Sequence, residues 1–287
     1  MTRAEAHRTG RTLLWVENAA PRRQLPRLHL AQLWRHRELA AFFAIRDIKV
    51  RYKQAYVGVA WAVVQPLIGA FTFVLVFNRL AKVDVGNRSY FAFALVGFAV
   101  WTYFSTAVSN GSNSLLYNAN LLTKIAFPRA VLPVAALLPP IVDLALGSIL
   151  AVAAAVIAGD SIPLLGVVLA VPLGLAQLVT VAAGLALFFS ALIVRFRDVA
   201  VLVSFGLQVV LLASPVAYPP DLVPSAWRTA VYVNPLAGCL GLIRHGLVGT
   251  PLPSGPRLLL SAAVAVIILL GGLLHFRRRE YEFADII

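Results

Sequence analysis

The chain has 287 residues, 60% of them apolar and 13% charged, against about 45–50% and about 25% in an ordinary soluble domain, so a water-soluble globule is excluded. Twenty-five Lys and Arg against twelve Asp and Glu leave a net charge of +13. Evenly spread, such a balance would point to nucleic acid; instead twelve of the basic residues precede residue 57 and no RNA or DNA motif accompanies them, so no nucleic-acid partner is expected. The single Cys239 and the five scattered histidines form neither a disulfide framework nor a metal-ligand pattern.

Residues 1–33 read as a polar, basic arm, too long before the first apolar run for a cleavable signal. Over 34–56, Trp34, Ala41, Ile45, Ile48 and Tyr52 fall near one stripe of a 3.6-residue helix, with Arg46, Lys49, Arg51 and Lys53 beside it. That spacing predicts an amphipathic helix along the inner membrane surface. One reading of it is a lipid anchor facing anionic headgroups; the other is a basic face that receives a phosphate-bearing substrate.

A bilayer core needs about 20 mainly apolar residues per helix, and six uncharged or nearly uncharged windows meet that length. The expected spans are 57–79, 91–108, 130–158, 163–194, 199–218 and 257–276, Asp143 being the one acidic residue well inside any of them. The second continues into polar sequence from Ser109 to Asn120, read as a helix emerging from the membrane. Pro163 and Pro172 predict a tilted or kinked fourth span. A shorter uncharged window, 229–243, is expected to dip in without crossing. Asp143 lies between Pro139-Pro140 and Gly147 and is expected to bond freed backbone or a neighbouring helix rather than substrate. The tail is 277–287.

Six crossings put both termini on one side. Nineteen basic residues then fall on the face with the N-terminal arm, Lys124, Arg129, Arg195, Arg197 and Arg277–Arg279, and six on the other, which makes both termini cytoplasmic. None of the four lysines lies in a Walker A loop, so the chain is not expected to hydrolyse ATP.

Three blocks then carry a family resemblance. Arg46-Asp-Ile-Lys-Val-Arg-Tyr-Lys53 continues through Gly58, Trp61, Gln65 and Pro66; Asn120-Leu-Leu-Thr-Lys-Ile-Ala-Phe-Pro-Arg-Ala-Val-Leu-Pro133 follows; the third runs from Arg195-Phe-Arg-Asp-Val199 through Ser214-Pro-Val-Ala-Tyr-Pro219 to Asn234-Pro235 and Arg244. In order and spacing they resemble the permease subunits of ABC-2 type exporters for cell-surface polysaccharides, the O-antigen and teichoic-acid exporters, over most of residues 35–280. Ala126 and Ala217 depart from the usual pattern, where an aromatic and a larger aliphatic residue stand; Ala126 leaves less contact surface at its loop.

The resemblance implies an all-α integral membrane protein with six transmembrane helices and re-entrant outer-face helices, 219–250, between spans 5 and 6. It implies a homodimer, in the bacterial inner membrane, with two separate ABC ATPase subunits that bind ATP and Mg; this chain holds no cofactor or metal and has no catalytic residue. The cargo implied is a lipid-linked polysaccharide, and the Ala-, Val- and Arg-rich composition points to an actinobacterial galactan. Lys124, Phe127 and Arg129, with Arg195 and Arg197, resemble the ATPase coupling surface, and Tyr218, Asn234 and Arg244 the outer gate. Phe71, Phe91, Phe98, Trp101, Tyr103 and Phe104 are candidates for a glycan path, because aromatic faces pack on sugar rings; the alternative for each is a packed core or an interfacial belt. Two other classes compete. An ion-coupled secondary transporter would use several intramembrane carboxylates and related halves, and a membrane enzyme of glycan assembly would need paired carboxylates; the scattered acids favour neither.

Overall fold

The computed structural model describes residues 36–53, 58–86, 88–122 and 127–280. Every regular element among them is helical. α1 is Arg37–Lys53; α2 is Gly58–Phe73, which widens into a π-helical stretch, Val74–Leu80; α3 is Tyr90–Tyr117; α4 is the single turn Ala119–Leu122. α5 (Val131–Ala135) and α6 (Ile141–Ile157) share the third apolar window. α7 comprises a π-helical turn, Gly166–Ala170, and the α-helix Val171–Arg195, and α8 is Val199–Ala213. A 3₁₀ turn at Pro220–Leu222 leads to α9 (Ser225–Val231), α10 (Pro235–Val248) and α11 (Gly255–Arg279).

Four stretches, Val63–Leu80, Tyr90–Tyr117, Gly166–Arg195 and Gly255–Arg279, are long and apolar enough to cross a membrane, while α6, α8 and α10 are shorter apolar helices. Local chemistry explains the boundaries. Ser89 caps α3, its hydroxyl accepting from the Ala92 amide at 3.4 Å, and the polar run after Ser109 continues the same helix to Tyr117, as its emergence predicts. Pro139-Pro140 interrupt the third window, which therefore folds as two helices joined by a turn. Pro172, which has no N–H to donate, is accommodated by the wider π turn just before it. The fifth window stops at Ala213, earlier than the expected 218. α10 ends on Gly249, whose φ of 73° is the left-handed closure glycine adopts without a side-chain clash.

α3 is the central post. Leu95, Val96, Val100, Tyr103, Phe104 and Val108 are fully buried against α6, α7, α8 and α10. The closest approach lies elsewhere, between α7 and α11: a Cβ on Gly184 would lie 2.7 Å from the Ile268 carbonyl and from Leu269 Cα, and one on Gly272 would strike the Gly184 carbonyl. Small residues let two backbones meet where lipid supplies no hydrophobic drive. A second buried cluster ties Phe43 of α1 to Leu115, Leu132, Leu187, Leu273 and Phe276. It gathers the C-terminal ends of α3, α7 and α11 at one end of the molecule, together with Arg195, Arg197 and Arg277–Arg279; we call this the basic end.

The stripe read on α1 for the membrane surface leaves packing on the protein to another face; Trp34 and the Tyr52 side chain lie outside the described residues. Phe43 and Ala44 are buried, with Leu39 and Ala40 partly so, whereas Ala41 and Ile45 face outward beside Phe42 and Lys49. Apolar and charged residues mix on the outward side. The packing face is chosen by surfaces 70 to 230 residues away in sequence, which periodicity within the segment does not register.

Candidate functional site

At the end opposite the basic one, the chain between α8 and the 3₁₀ turn forms a loop, Ser214-Pro215-Val216-Ala217, that three elements hold. Pro215 forces its predecessor out of helical geometry: Ser214 has φ −97° and ψ 146°. Breaking the helix frees backbone carbonyls, and each freed carbonyl in a dry site needs a donor. Arg244 of α10 donates through Nη1 to the Pro215 carbonyl at 2.7 Å and through Nη2 to the Val216 carbonyl. The Tyr90 hydroxyl, from the first residue of α3, donates to the Ala217 carbonyl at 2.5 Å. Asn234 performs two tasks, its Nδ2 donating to Ser214 Oγ at 2.8 Å and its Oδ1 accepting from the Leu236 amide at 3.0 Å to cap α10. Pro235 follows at the first helical position, where its missing N–H costs nothing.

Arg244 is 3% exposed and pairs with no carboxylate among the described residues. Its guanidinium lies 3.5 Å from the centroid of the Phe93 ring, so loop dipoles on one side and a π face on the other stand in for a counter-ion. Gly97 completes the arrangement, since any Cβ there would collide with the Val216 carbonyl oxygen and an Arg244 nitrogen. Tyr90, Phe93 and Gly97 occupy one face of α3 at i, i+3 and i+7.

Of the residues expected at an outer gate, the structure brings Asn234 and Arg244 onto this one loop and leaves Tyr218 half-buried directly after it. Tyr90, Phe93 and Gly97 are the partners that the gate expectation omitted, and their helical spacing was the signal available. Beside the clamp opens a cavity of about 470 Å³, lined by Asp84, Phe93, Asp221, Tyr232, Arg244 and Arg257 among others. Burial raises the Tyr232 phenol above its ordinary 10.0, with Arg257 opposing, so it is a neutral hydroxyl at neutral pH.

At the basic end the residues expected to meet an ATPase divide. Arg195 and Arg197 are exposed at the turn between α7 and α8, Arg195 stacking 5.2 Å over Phe196. Phe127 packs on Phe43 with ring centroids 6.0 Å apart, and Arg129 donates to the Glu280 carbonyl after α11. The loop thus bears on both α1 and α11. Lys124 and Ala126 lie outside the described residues.

The four basic residues of α1 divide as well. Arg46 binds Asp47 at 2.8 Å and donates to Asn118 Oδ1 at 3.2 Å; Arg51 pairs with Asp143 at 2.8 Å; Lys49 is exposed, and the Lys53 side chain lies outside the described residues. Asp143 therefore has a structural partner, as its position predicts, though that partner is a side chain of α1. A cavity of about 420 Å³ opens beside Arg46, Asp47, Arg51, Asn110 and Asn118.

The aromatic candidates do not form one surface. Trp101, Tyr103 and Phe104 are buried in the core of the single chain, with Trp101 and Phe104 centroids 5.7 Å apart. Phe98 is half-buried against Phe73 at 6.0 Å, Phe91 is half-buried, and Phe71 is 58% exposed on α2.

Long apolar helices whose backbone breaks are satisfied by side chains define a multi-pass membrane protein. Sequence comparison then places it. Residues 40–248 match the family described as ABC-2 type transporter, and the chain belongs to that family. Among curated proteins it is similar to an O-antigen export system permease protein RfbA of Myxococcus xanthus, 30% identical over 89% of this chain and 98% of that protein. It is also similar to one of the same description from Klebsiella pneumoniae, 27% identical over 87% of this chain and 95% of that protein.

Proposed function

We propose that this chain is the permease subunit of an ATP-driven ABC exporter that moves a lipid-linked cell-surface polysaccharide from the cytoplasmic to the outer face of the inner membrane. The observation that carries the reading is the near end-to-end likeness to permeases of O-antigen export systems, alongside a family match that includes the clamp and the Arg195–Arg197 turn. In this reading α2, α3, α5 with α6, α7, α8 and α11 make six crossings, α9 and α10 form the re-entrant outer-face pair, and both termini are cytoplasmic. The functional unit is a homodimer with two ATPase subunits that bind ATP and Mg.

The basic end then faces the ATPase. Exposed Arg195 and Arg197 would meet it directly, while Lys124, Phe127 and Arg129 form the coupling loop. Contacts from Phe127 to α1 and from Arg129 to the end of α11 give a docked subunit two elements to move. The cavity lined by Arg46 and Arg51 would take the phosphate-bearing headgroup of the cargo. Tyr218, Asn234 and Arg244 belong to the outer gate, with Tyr90 as a further holder of its loop. Phe71, Phe91 and Phe98 are the aromatic residues still accessible to a conduit made by two copies; Trp101, Tyr103 and Phe104 would join it only through movement of the core.

Reconstituted alone, the chain should show no ATPase activity; with its ATPase partner it should support ATP-dependent transfer of a lipid-linked glycan across the bilayer. Charge reversal at Lys124 and Arg129 should lower ATPase assembly or transport while membrane insertion continues. Uptake driven by a proton gradient with no ATPase present would overturn the assignment.

A further inference from the structure

We infer that a cavity between α8 and the rest of the bundle seats one acyl chain of a membrane phospholipid. It has a volume of about 340 Å³ and is walled by Phe104 of α3, Val181 and Phe189 of α7, Leu202 and Gly206 of α8 and Leu236 of α10, among others. The inference needs the chain to be a membrane protein and does not depend on the export reading.

The wall selects the ligand class. Among its described residues Asn234 alone is polar, and that amide is already engaged, its Nδ2 donating to Ser214 Oγ and its Oδ1 accepting from the Leu236 amide. A held water needs two to four polar partners, which this wall lacks, so hydrocarbon is the class that fits it. Gly206 makes the room: a Cβ there would meet nothing within 4 Å, so α8 presents bare backbone to the middle of the cavity.

Shape selects a single chain over a helix. The wall runs from Leu202 to Val210 on α8 and from Val181 to Phe189 on α7, in each case about 12 Å at 1.5 Å per residue. A volume of about 340 Å³ drawn out over that length is about 30 Å² in section, whereas a helix with its side chains, about 10–12 Å across, needs about 80–110 Å². A partner helix is therefore too thick, and no single apolar side chain is long enough. A polymethylene chain is both thin and long, and the cavity's long axis follows α7 and α8, the direction in which acyl chains lie.

Position selects the source. Leu202, 66% exposed and the one exposed side chain among the described wall residues, stands toward the Arg195–Arg197 turn, whereas Pro235 and Leu236 are buried at the other end. From Arg195 back to Val181 is about 21 Å of helix, which is half of the about 40–45 Å that a bilayer spans with its headgroups. A phospholipid of the leaflet at the basic end thus sets its phosphate beside the exposed Arg195 and Arg197, whose charge suits it, and the tip of its chain against Leu236.

Photolabelling of the permease–ATPase complex in nanodiscs of phosphatidylglycerol and phosphatidylcholine tests this, the probe being phosphatidylcholine with a diazirine at the end of one chain. Mass spectrometry of the digested chain should find label on Val181 and Leu236, which are buried side chains that the cavity makes reachable. Gly206→Leu, which fills the middle of the cavity, should lower that label at least fivefold while label on the outward Phe205 and Leu212 is unchanged. Should Gly206→Leu fail to fold, Val210→Phe should produce the same loss. Label on Phe205 and Leu212 with none on Val181 and Leu236, or equal label in the folded variant, overturns the site. Displacement by an equimolar polyprenyl phosphate overturns it too, by giving the cavity to a carrier lipid. So does capture of a second copy by a photoreactive residue at position 207, which would give the cavity to a partner chain.

Discussion

Arg244 gathers more of the opposite end than any other side chain, because two loop carbonyls and one aromatic ring depend on it. Arg244→Met keeps the volume and removes the donors. It leaves the Pro215 and Val216 carbonyls unpaired at a cost of about 1–3 kcal/mol each, so the melting temperature of the reconstituted chain should fall substantially. Arg244→Lys should recover only part of the loss, because an ammonium cannot serve two carbonyls in a fixed fork while lying flat on Phe93. Gly97→Ala should cost about 1–3 kcal/mol by overpacking the same spot. If Arg244→Met melts like the parent, the clamp is not what holds the loop. Arg244 was legible through the family resemblance, as the end of its third block, but its partners were not: they lie 28 and 29 residues back for the carbonyls and on a different helix for Phe93, and nothing local to Arg244 names them.

At the scale of elements, α7, α10 and α11 meet at one polar junction. Gln177 of α7 donates through Nε2 to the Pro235 carbonyl at 2.9 Å and to Ser261 Oγ at 2.7 Å, and Ser261 donates to the same carbonyl at 3.1 Å. Such bonds between membrane helices are worth about 1–2 kcal/mol in model peptides and about 0.6 on average in mutant cycles. Gln177→Leu should therefore cost about 1 kcal/mol and be nearly additive with Ser261→Ala only if the two act separately; a double-mutant cycle of melting temperatures should instead show coupling, since they share one acceptor. The helices themselves were legible, since lipid tolerates few charges and uncharged windows mark the spans. The π turn at Gly166–Ala170 was legible only as a proline-driven irregularity at Pro172. The packed face of α1 was not legible, because Phe43 is selected by Leu115 and Phe276, and a period of 3.6 cannot choose between two apolar stripes when both exist.

For the whole molecule, the expected arrangement is checked by reporter tags on the two tails, which should label from the cytoplasmic side, with a tag near Asp221 labelling from outside; tails on opposite sides would refute six crossings. α8 bears on this arrangement in another way. Val201, Leu202, Phe205, Val209 and Leu212 all point away from the chain, and Val203 is its one fully buried residue. Surrounded by acyl chains, such a rod gains little by leaning on its neighbours, since lipid is as apolar as they are. It is moored at its ends, by the Arg197-Asp198 turn and by the loop that Tyr90, Asn234 and Arg244 grip. Cutting one mooring should let the rod drift sideways while the rest stands, so amide exchange along 199–213 should quicken in Arg244→Met before exchange in α3 changes.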